Sequence, residues 1–212
     1  MRQVDLAFRV TGSSIPADHA NPLYAAISHL IPVFHGDPSF AVHQIRGALD
    51  RARRLIISRT SELVIRTPAS RIPDLLPLAG SRLTLAGDTI DVGIPTPRAL
   101  TPSARLFARL VVIRGFMETA AFLESANRKL DEEKIAARAN LVPNPKADPT
   151  AAAGAGSRSP WLRRTVEIHG RKIVGFAVRV EGLTAEESIR LQEKGLGGRR
   201  HFGCGIFTPE RR

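Results

Sequence analysis

The chain has 212 residues, 43% of them hydrophobic, which is enough apolar material for one sizeable core or two small ones; two small domains are expected. Lys and Arg total 31 against 20 acidic residues, and the formal net charge of +11 leaves an uncompensated positive field that favours a nucleic-acid partner over a basic excess serving only solubility. Cys204 is the single cysteine, which excludes an intramolecular disulfide and a cysteine-based zinc site. The N-terminus lacks the apolar run of a secretory signal, and no stretch approaches the roughly 18 to 20 apolar residues that span a bilayer, so a cytoplasmic protein without membrane association is expected.

In chain order, Val4, Leu6, Phe8 and Val10 recur every second residue and predict a first strand with Asp5 and Arg9 on its other face. Asn21 and Pro22 open a helix over residues 22–31, with Leu23, Ala26, Ile27 and Leu30 as its apolar stripe and Pro32 as its stop. Phe40 and Val42 start a second strand region, and residues 55–58 and 62–66 follow as further short strands. Ile72, Leu75 and Leu76, among three prolines, make a short helix. Residues 82–85 and 89–92, joined at Gly87 and Asp88, make a hairpin. The order strand, helix, strand, strand, helix, strand is ferredoxin-like and is shared by RNA-recognition modules.

Residues 106–113 read as a buried strand and residues 118–135 as a helix. Residues 141–160, rich in proline and carrying AAAGAGS, read as a flexible loop. A long hairpin over residues 162–168 and 172–181 turns at His169 and Gly170. Thr184 with Glu187 three residues on predicts a capping box opening the last helix. With a final strand over residues 204–208, a second βαββαβ unit results. The expected architecture is α+β: two tandem ferredoxin-like, RRM-like domains, 1–97 and 98–212, the second with a C-terminal glycine-rich loop.

That loop is KGLGGRRHFGCGIFTP, residues 194–209. Glycine allows close backbone approach to a ligand, so Gly195, Gly197 and Gly198 are expected to offer amide N–H groups to a phosphate. Arg199 and Arg200 add charge-assisted hydrogen bonds, and His201 beside them is expected to touch RNA. The plainer reading is a tight helix-to-strand connection. Arg46, Arg51, Arg53 and Arg54, and Arg163, Arg164, Arg171 and Lys172, form two more basic clusters suited to the phosphates of a stem-loop.

A glycine-rich loop of this form, near the C-terminus and leading into a short strand, resembles the signature of the CRISPR-associated RAMP superfamily. RTVEIHGRKIVGFAVRVEGLTAEESIRLQEKGLGGRRHFGCGIFTP is similar to the C-terminal half of its repeat-processing endoribonucleases, and VDLAFRVTGSSIPADHANPLYAAISHLIPVFH to their first strand and helix. The resemblance implies a metal-independent enzyme that binds the repeat stem-loop, cuts precursor crRNA and keeps the product, with other subunits of a CRISPR effector complex as further partners. It also covers members that bind guide RNA without cutting it. A third possibility is a general basic RNA-binding or ribosome-associated protein.

RNA supplies its own 2′-hydroxyl nucleophile, so the protein must provide a base, an acid and positive charge. Histidine suits proton transfer near neutrality, and six are present. The resemblance singles out His35, just past the first helix, and Tyr24 within it as a helping hydroxyl. His19, at the helix start, is the second candidate. His29 is expected to face solvent, His43 to lie in a strand and His169 in a turn. The family's charge-stabilising lysine has no clear counterpart; Arg46 is the nearest substitute. His19, His35, Asp18 and Asp37 contain no close-spaced metal motif, and no cofactor is expected. Hydrolase chemistry based on serine or cysteine has no motif either.

Overall fold

The computed structural model describes residues 2–147 and 159–210, which form two compact units. The first comprises Met1–Leu100, Val166–Arg171 and Arg200–Gly203. The second comprises Thr101–Thr165, Lys172–Arg199 and Cys204–Arg212.

The elements of the first unit are β1 (Gln3–Thr11), β2 (Ser14–Pro16), α1 (Ala20–Leu30), β3 (Ala41–Val42), β4 (Ala48–Leu49), β5 (Arg54–Ile56), β6 (Glu62–Pro68), α2 (Ile72–Leu75), β7 (Arg82–Leu85) and β8 (Asp88–Ala99). A five-stranded antiparallel sheet has the order β3-β6-β1-β8-β7. Taking β3, β6 and β8 as second, third and fourth strands, this is the ferredoxin arrangement, with β7 added at one edge. Leu6, Phe8 and Val10 of β1 are buried in a core with Leu23 and Ile27 of α1 and Leu63 and Ile65 of β6. A separate three-stranded sheet, β2-β5-β4, replaces the strand expected over residues 55–58.

Sequence chemistry accounts for the boundaries. Ile31 precedes Pro32, whose ring disfavours helical geometry in the residue before it, and Ile31 accordingly sits at φ −128°, ψ 86° and ends α1. Pro73 and Pro77 break the second helical region into α2 and flanking 3₁₀ turns at Ala69–Arg71 and Leu76–Leu78. The β7-β8 turn is Ala86-Gly87, both left-handed, as a two-residue hairpin loop requires. The strand expected to end at residue 92 continues to Ala99 through Pro95 and Pro97. These prolines are tolerated because β7 pairs with β8 only over Asp88–Asp91, so beyond that point β8 is an edge needing no donor on its outer side.

The remaining elements are β9 (Arg105–Val111), α3 (Thr119–Glu132), β10 (Arg138–Leu141), β11 (Arg163–Ile168), β12 (Arg171–Glu181), α4 (Ala185–Lys194) and β13 (Thr208–Pro209), all in the second unit except the hairpin tip Val166–Arg171, which is counted with the first. The sheet order of the second unit, β10-β12-β9-β13, repeats the ferredoxin pattern, and β11 pairs with β12 alongside it. The second strand of this repeat is therefore β10, which precedes the proline-rich loop; it was expected to be the first arm of the late hairpin. The core gathers Leu106 and Ala108 from β9, Phe122, Ala126 and Leu130 from α3, and Phe176, Val178 and Val180 from β12. Thr184 and Glu187 form the expected capping box, each side chain bonding the other residue's backbone N–H. The final strand is two residues long, because Gly203 and Gly205 are both left-handed and interrupt the extended run expected over residues 204–208. Of the loop expected over residues 141–160, residues 148–158 lie outside the described residues. Its ends are tied together by Asn144 N–H donating to the Pro160 carbonyl at 2.8 Å and by a bridge between Pro143 and Trp161.

Candidate active site

Tyr24 follows Leu23 on α1, so its ring flanks the buried stripe, packs against the first core and remains half-buried. The 3₁₀ turn Pro32–Phe34 after the helix brings His35 back over this ring. The Tyr24 hydroxyl lies 3.3 Å from His35 Nδ1 and accepts a hydrogen bond of 2.9 Å from Gly36 N–H. His35 itself is exposed, leaving the outer edge of the imidazole open to a substrate.

Arg200–Gly203 also belong to the first unit, and this places a third polar side chain, His201, on the same phenol. The His201 ring centroid is 5.2 Å from that of Tyr24 and 5.8 Å from Phe34, and the Phe202 ring is 4.8 Å from Tyr24. His201 Nε2 lies 2.6 Å from the carbonyl oxygen of Asp37, two residues beyond His35. The Asp37 carboxylate is itself held, accepting from Ser39 N–H at 2.9 Å and from Arg71 Nη1 at 2.9 Å, while Arg71 also pairs with Asp74 and lies over the Phe40 ring. Burial lowers the proton affinity of His201, the Asp37 carbonyl partly offsets this, and the charges of Arg200 and His35 lower it further.

Behind these groups lies a buried ionic cluster that pattern reading missed. Asp5 and Arg66 are cross-strand partners in β1 and β6, and the wholly buried guanidinium holds the carboxylate through two bonds of 2.7 and 2.9 Å. His43 Nε2 stands 3.5 Å from Asp5, at the outer limit of a hydrogen bond. Burial pushes the Asp5 carboxyl up, but the nearby His43 ring, the two hydrogen bonds from Arg66 and the Arg66 charge outweigh it and hold the group well below the usual carboxylate range. Burial, followed by repulsion from Arg66, lowers Arg200 to about 10, so its guanidinium still carries charge at neutrality. Asp5 sits on the outward face of a strand, which normally reads as solvated; only the strand register reveals its partner.

The structure thus brings Tyr24, His35 and His201 together and leaves His19 apart. His19 is buried, Nδ1 donating to the Pro16 carbonyl at 3.1 Å and Nε2 accepting from Ile45 N–H at 3.1 Å. Both of its nitrogens are committed to backbone, tying the end of β2 to the segment after β3, so the structure does not present His19 beside Tyr24. Asp18 accepts from Glu167 N–H at 2.7 Å and Asp37 serves Arg71, so the four residues weighed as metal ligands are engaged in different places. Among the described residues, no group of three or more His, Cys, Asp or Glu side chains is positioned to hold a metal ion, and no helix is long and apolar enough to cross a membrane.

The basic candidates divide similarly. Arg51, Arg53, Arg164 and Arg199 are exposed. Arg54 is spent on Asp88 at 2.6 Å and on Ser14, whereas Arg163 donates to the Met117 carbonyl at 3.0 Å and covers the Phe176 ring. Arg46 is exposed, with its carbonyl bonded by the Ser61 hydroxyl. His29 and His169 are exposed, as expected. Gly195, Gly197, Gly198 and Arg199 belong to the second unit. The Gly195 and Gly198 amides donate to the carbonyls of Leu191 and Val112, so they are not the phosphate donors expected from the sequence. Gly197 is required by close packing: it is left-handed at φ 78°, and a Cβ there would stand 2.3 Å from the Val112 carbonyl oxygen.

Comparison with known proteins gives a consistent result. A family model described as "Cas6 Crispr" matches residues 4–212. The chain is 38% identical, over 206 residues, to a protein of Myxococcus xanthus (strain DK1622) named "CRISPR-associated endonuclease Cas6", an alignment covering 97% of this chain and 81% of that protein. Among solved structures, "CRISPR associated protein Cas6" has a TM-score of 0.68 at 12% identity and covers 99% of both chains. A protein described as "An RAMP protein binding different RNA substrates" has a TM-score of 0.69 at 11% identity and covers 100% of both. At such identities the structural likeness bears on the fold, which is the tandem ferredoxin-like fold of these proteins.

Proposed function

We propose, for a chain that belongs to the Cas6 family of CRISPR proteins, that it is an endoribonuclease which binds the CRISPR repeat stem-loop in precursor crRNA and cuts it without a metal ion. The similarity to a named CRISPR-associated endonuclease supports the class of reaction. The observation that carries the mechanism is the exposed imidazole of His35 hydrogen-bonded through Nδ1 to Tyr24, in a chain with a net charge of +11. The 2′-hydroxyl of the substrate attacks the adjacent phosphorus, the bond to the 5′-oxygen breaks, and a 2′,3′-cyclic phosphate and a 5′-hydroxyl result. His35 transfers a proton in this step and the Tyr24 hydroxyl orients it. The exposed Arg51, Arg53, Arg164 and Arg199 contact phosphates, and Arg200 contributes buried positive charge near the reacting group. Gly198, with nothing within 4 Å of where a Cβ would stand, leaves room for the RNA backbone. The positive field retains the cleaved guide RNA for a CRISPR effector complex.

The test is incubation of the purified protein with RNA from the CRISPR array nearest its gene, in EDTA. Cleavage once per repeat, with loss of about 100-fold or more in rate on His35→Ala, is expected. RNA that is bound yet intact after hours would instead establish a non-catalytic guide-RNA-binding subunit.

A further inference from the structure

We propose that His201 is the second proton-transfer group of this site, its Nδ1 accepting the 2′-hydroxyl proton while His35 delivers a proton to the departing 5′-oxygen. The inference rests on the endoribonuclease reading and assigns the division of labour within it.

The Asp37 carbonyl oxygen can only accept, so the 2.6 Å contact requires His201 Nε2 to carry the proton. In the neutral ring the lone pair must then reside on Nδ1, and a ring bonded to a fixed carbonyl cannot exchange tautomers without losing that bond. The carbonyl is fixed because the Asp37 side chain is anchored to Ser39 and Arg71. Packing against Tyr24 and Phe34 holds the ring plane. His201 is therefore presented as a base whose orientation is set in advance.

His35 is complementary. In its imidazolium form Nδ1–H donates to the Tyr24 oxygen, which also receives Gly36 N–H, and Nε2–H is left to protonate a leaving group. With both lone pairs of the Tyr24 oxygen engaged, its own proton is available to a non-bridging phosphate oxygen. Both imidazoles lie against one phenol ring, with centroids 5.7 and 5.2 Å from it, so an acceptor and a donor are gathered at Tyr24 for a single phosphodiester. The proton count closes: the 2′-oxygen loses one to His201 Nδ1, the 5′-oxygen gains one from His35, the O2′–P bond forms and the P–O5′ bond breaks.

A purely structural His201, wedged on Tyr24, is the competing account. The two are separated by single-turnover cleavage of the repeat RNA with either the natural 5′-oxygen or a 5′-bridging sulfur at the scissile position, because a thiolate leaves without protonation. His201→Gln keeps an N–H for the Asp37 carbonyl and removes the basic nitrogen. It is expected to bind a 2′-deoxy repeat RNA like wild type and to cleave both substrates about 100-fold or more slowly. His35→Ala is expected to be slow on the oxygen substrate and largely restored on the sulfur one. Wild-type cleavage combined with a His201→Gln rate within roughly threefold of it, or with rescue of His201→Gln by sulfur, overturns the assignment of His201 alone. Should His201→Gln fail to bind, His201→Asn is measured in the same way with the same expectation. A wild-type protein that cuts neither substrate overturns the endoribonuclease reading together with this one.

Discussion

Tyr24 does two things with one oxygen, accepting from Gly36 N–H and meeting His35 Nδ1, so its hydroxyl fixes both the turn and the imidazole. Tyr24→Phe removes roughly one hydrogen bond's net worth from the oriented state, and a fall in single-turnover cleavage of about tenfold is expected. His19 makes the opposite prediction. His19→Ala strands the Ile45 N–H and the Pro16 carbonyl in the interior, so urea denaturation should show a loss of about 3 kcal/mol, with the folded fraction cleaving at nearly the wild-type rate. A stable but inactive variant would contradict the structural role. Asp5 gives the pH dependence. Its folded pKa lies below the unfolded value, so its contribution is complete above about pH 5 and fades as the pH falls through the unfolded value toward the folded pKa. Asp5→Asn should cost about 3 kcal/mol at neutrality, and the gap from wild type should narrow in urea titrations between about pH 5 and pH 2. A gap independent of pH would contradict the ion pair. Tyr24 and His35 are singled out by the family resemblance, and the structure places them side by side. The placement of His201 beside them is not legible in the sequence, because its bond to Asp37 joins residues 164 positions apart.

At the level of elements, β1, the stripe of α1 and the β11-β12 hairpin follow from period, and the capping box from cap chemistry; α1 itself starts at Ala20, ahead of the Asn21-Pro22 pair expected to open it, with His19 at its N-cap and no side-chain cap bond. β10 escaped because it has four residues, two of them exposed, and leads into a polar stretch; it is a strand only because β12 offers a partner from Val178 to Glu181. The length of β8 was hidden by its prolines, which matter only to a strand with neighbours on both sides. The glycine-rich segment was read for its amides, yet its glycines mostly serve backbone packing. This separates two neighbouring positions. Gly197→Ala is expected to destabilise the protein by about 2 kcal/mol or more, because the new Cβ meets the Val112 carbonyl and the backbone is left-handed. Gly198→Ala, in open space, should stay within about 0.5 kcal/mol, and a weakened affinity for repeat RNA in that variant would report RNA contact there. Equal destabilisation of both variants by thermal unfolding would contradict this division.

For the molecule as a whole, two ferredoxin-like units on one chain, a family match over residues 4–212 and an excess of positive charge support the proposed RNA substrate. Overall charge attracts any polyanion without selecting one, so in the proposed reaction the chemistry is assigned to the small set of groups around Tyr24 and to the RNA itself. The central claim is that the RNA supplies the nucleophile and the protein moves protons. It is tested most directly by replacing the single nucleotide 5′ to the cut with its 2′-deoxy form and following single-turnover cleavage in EDTA beside a binding assay. This repeat RNA is expected to bind as tightly as the all-ribose form and to stay uncut at that site. Cleavage at the substituted position would contradict the central claim.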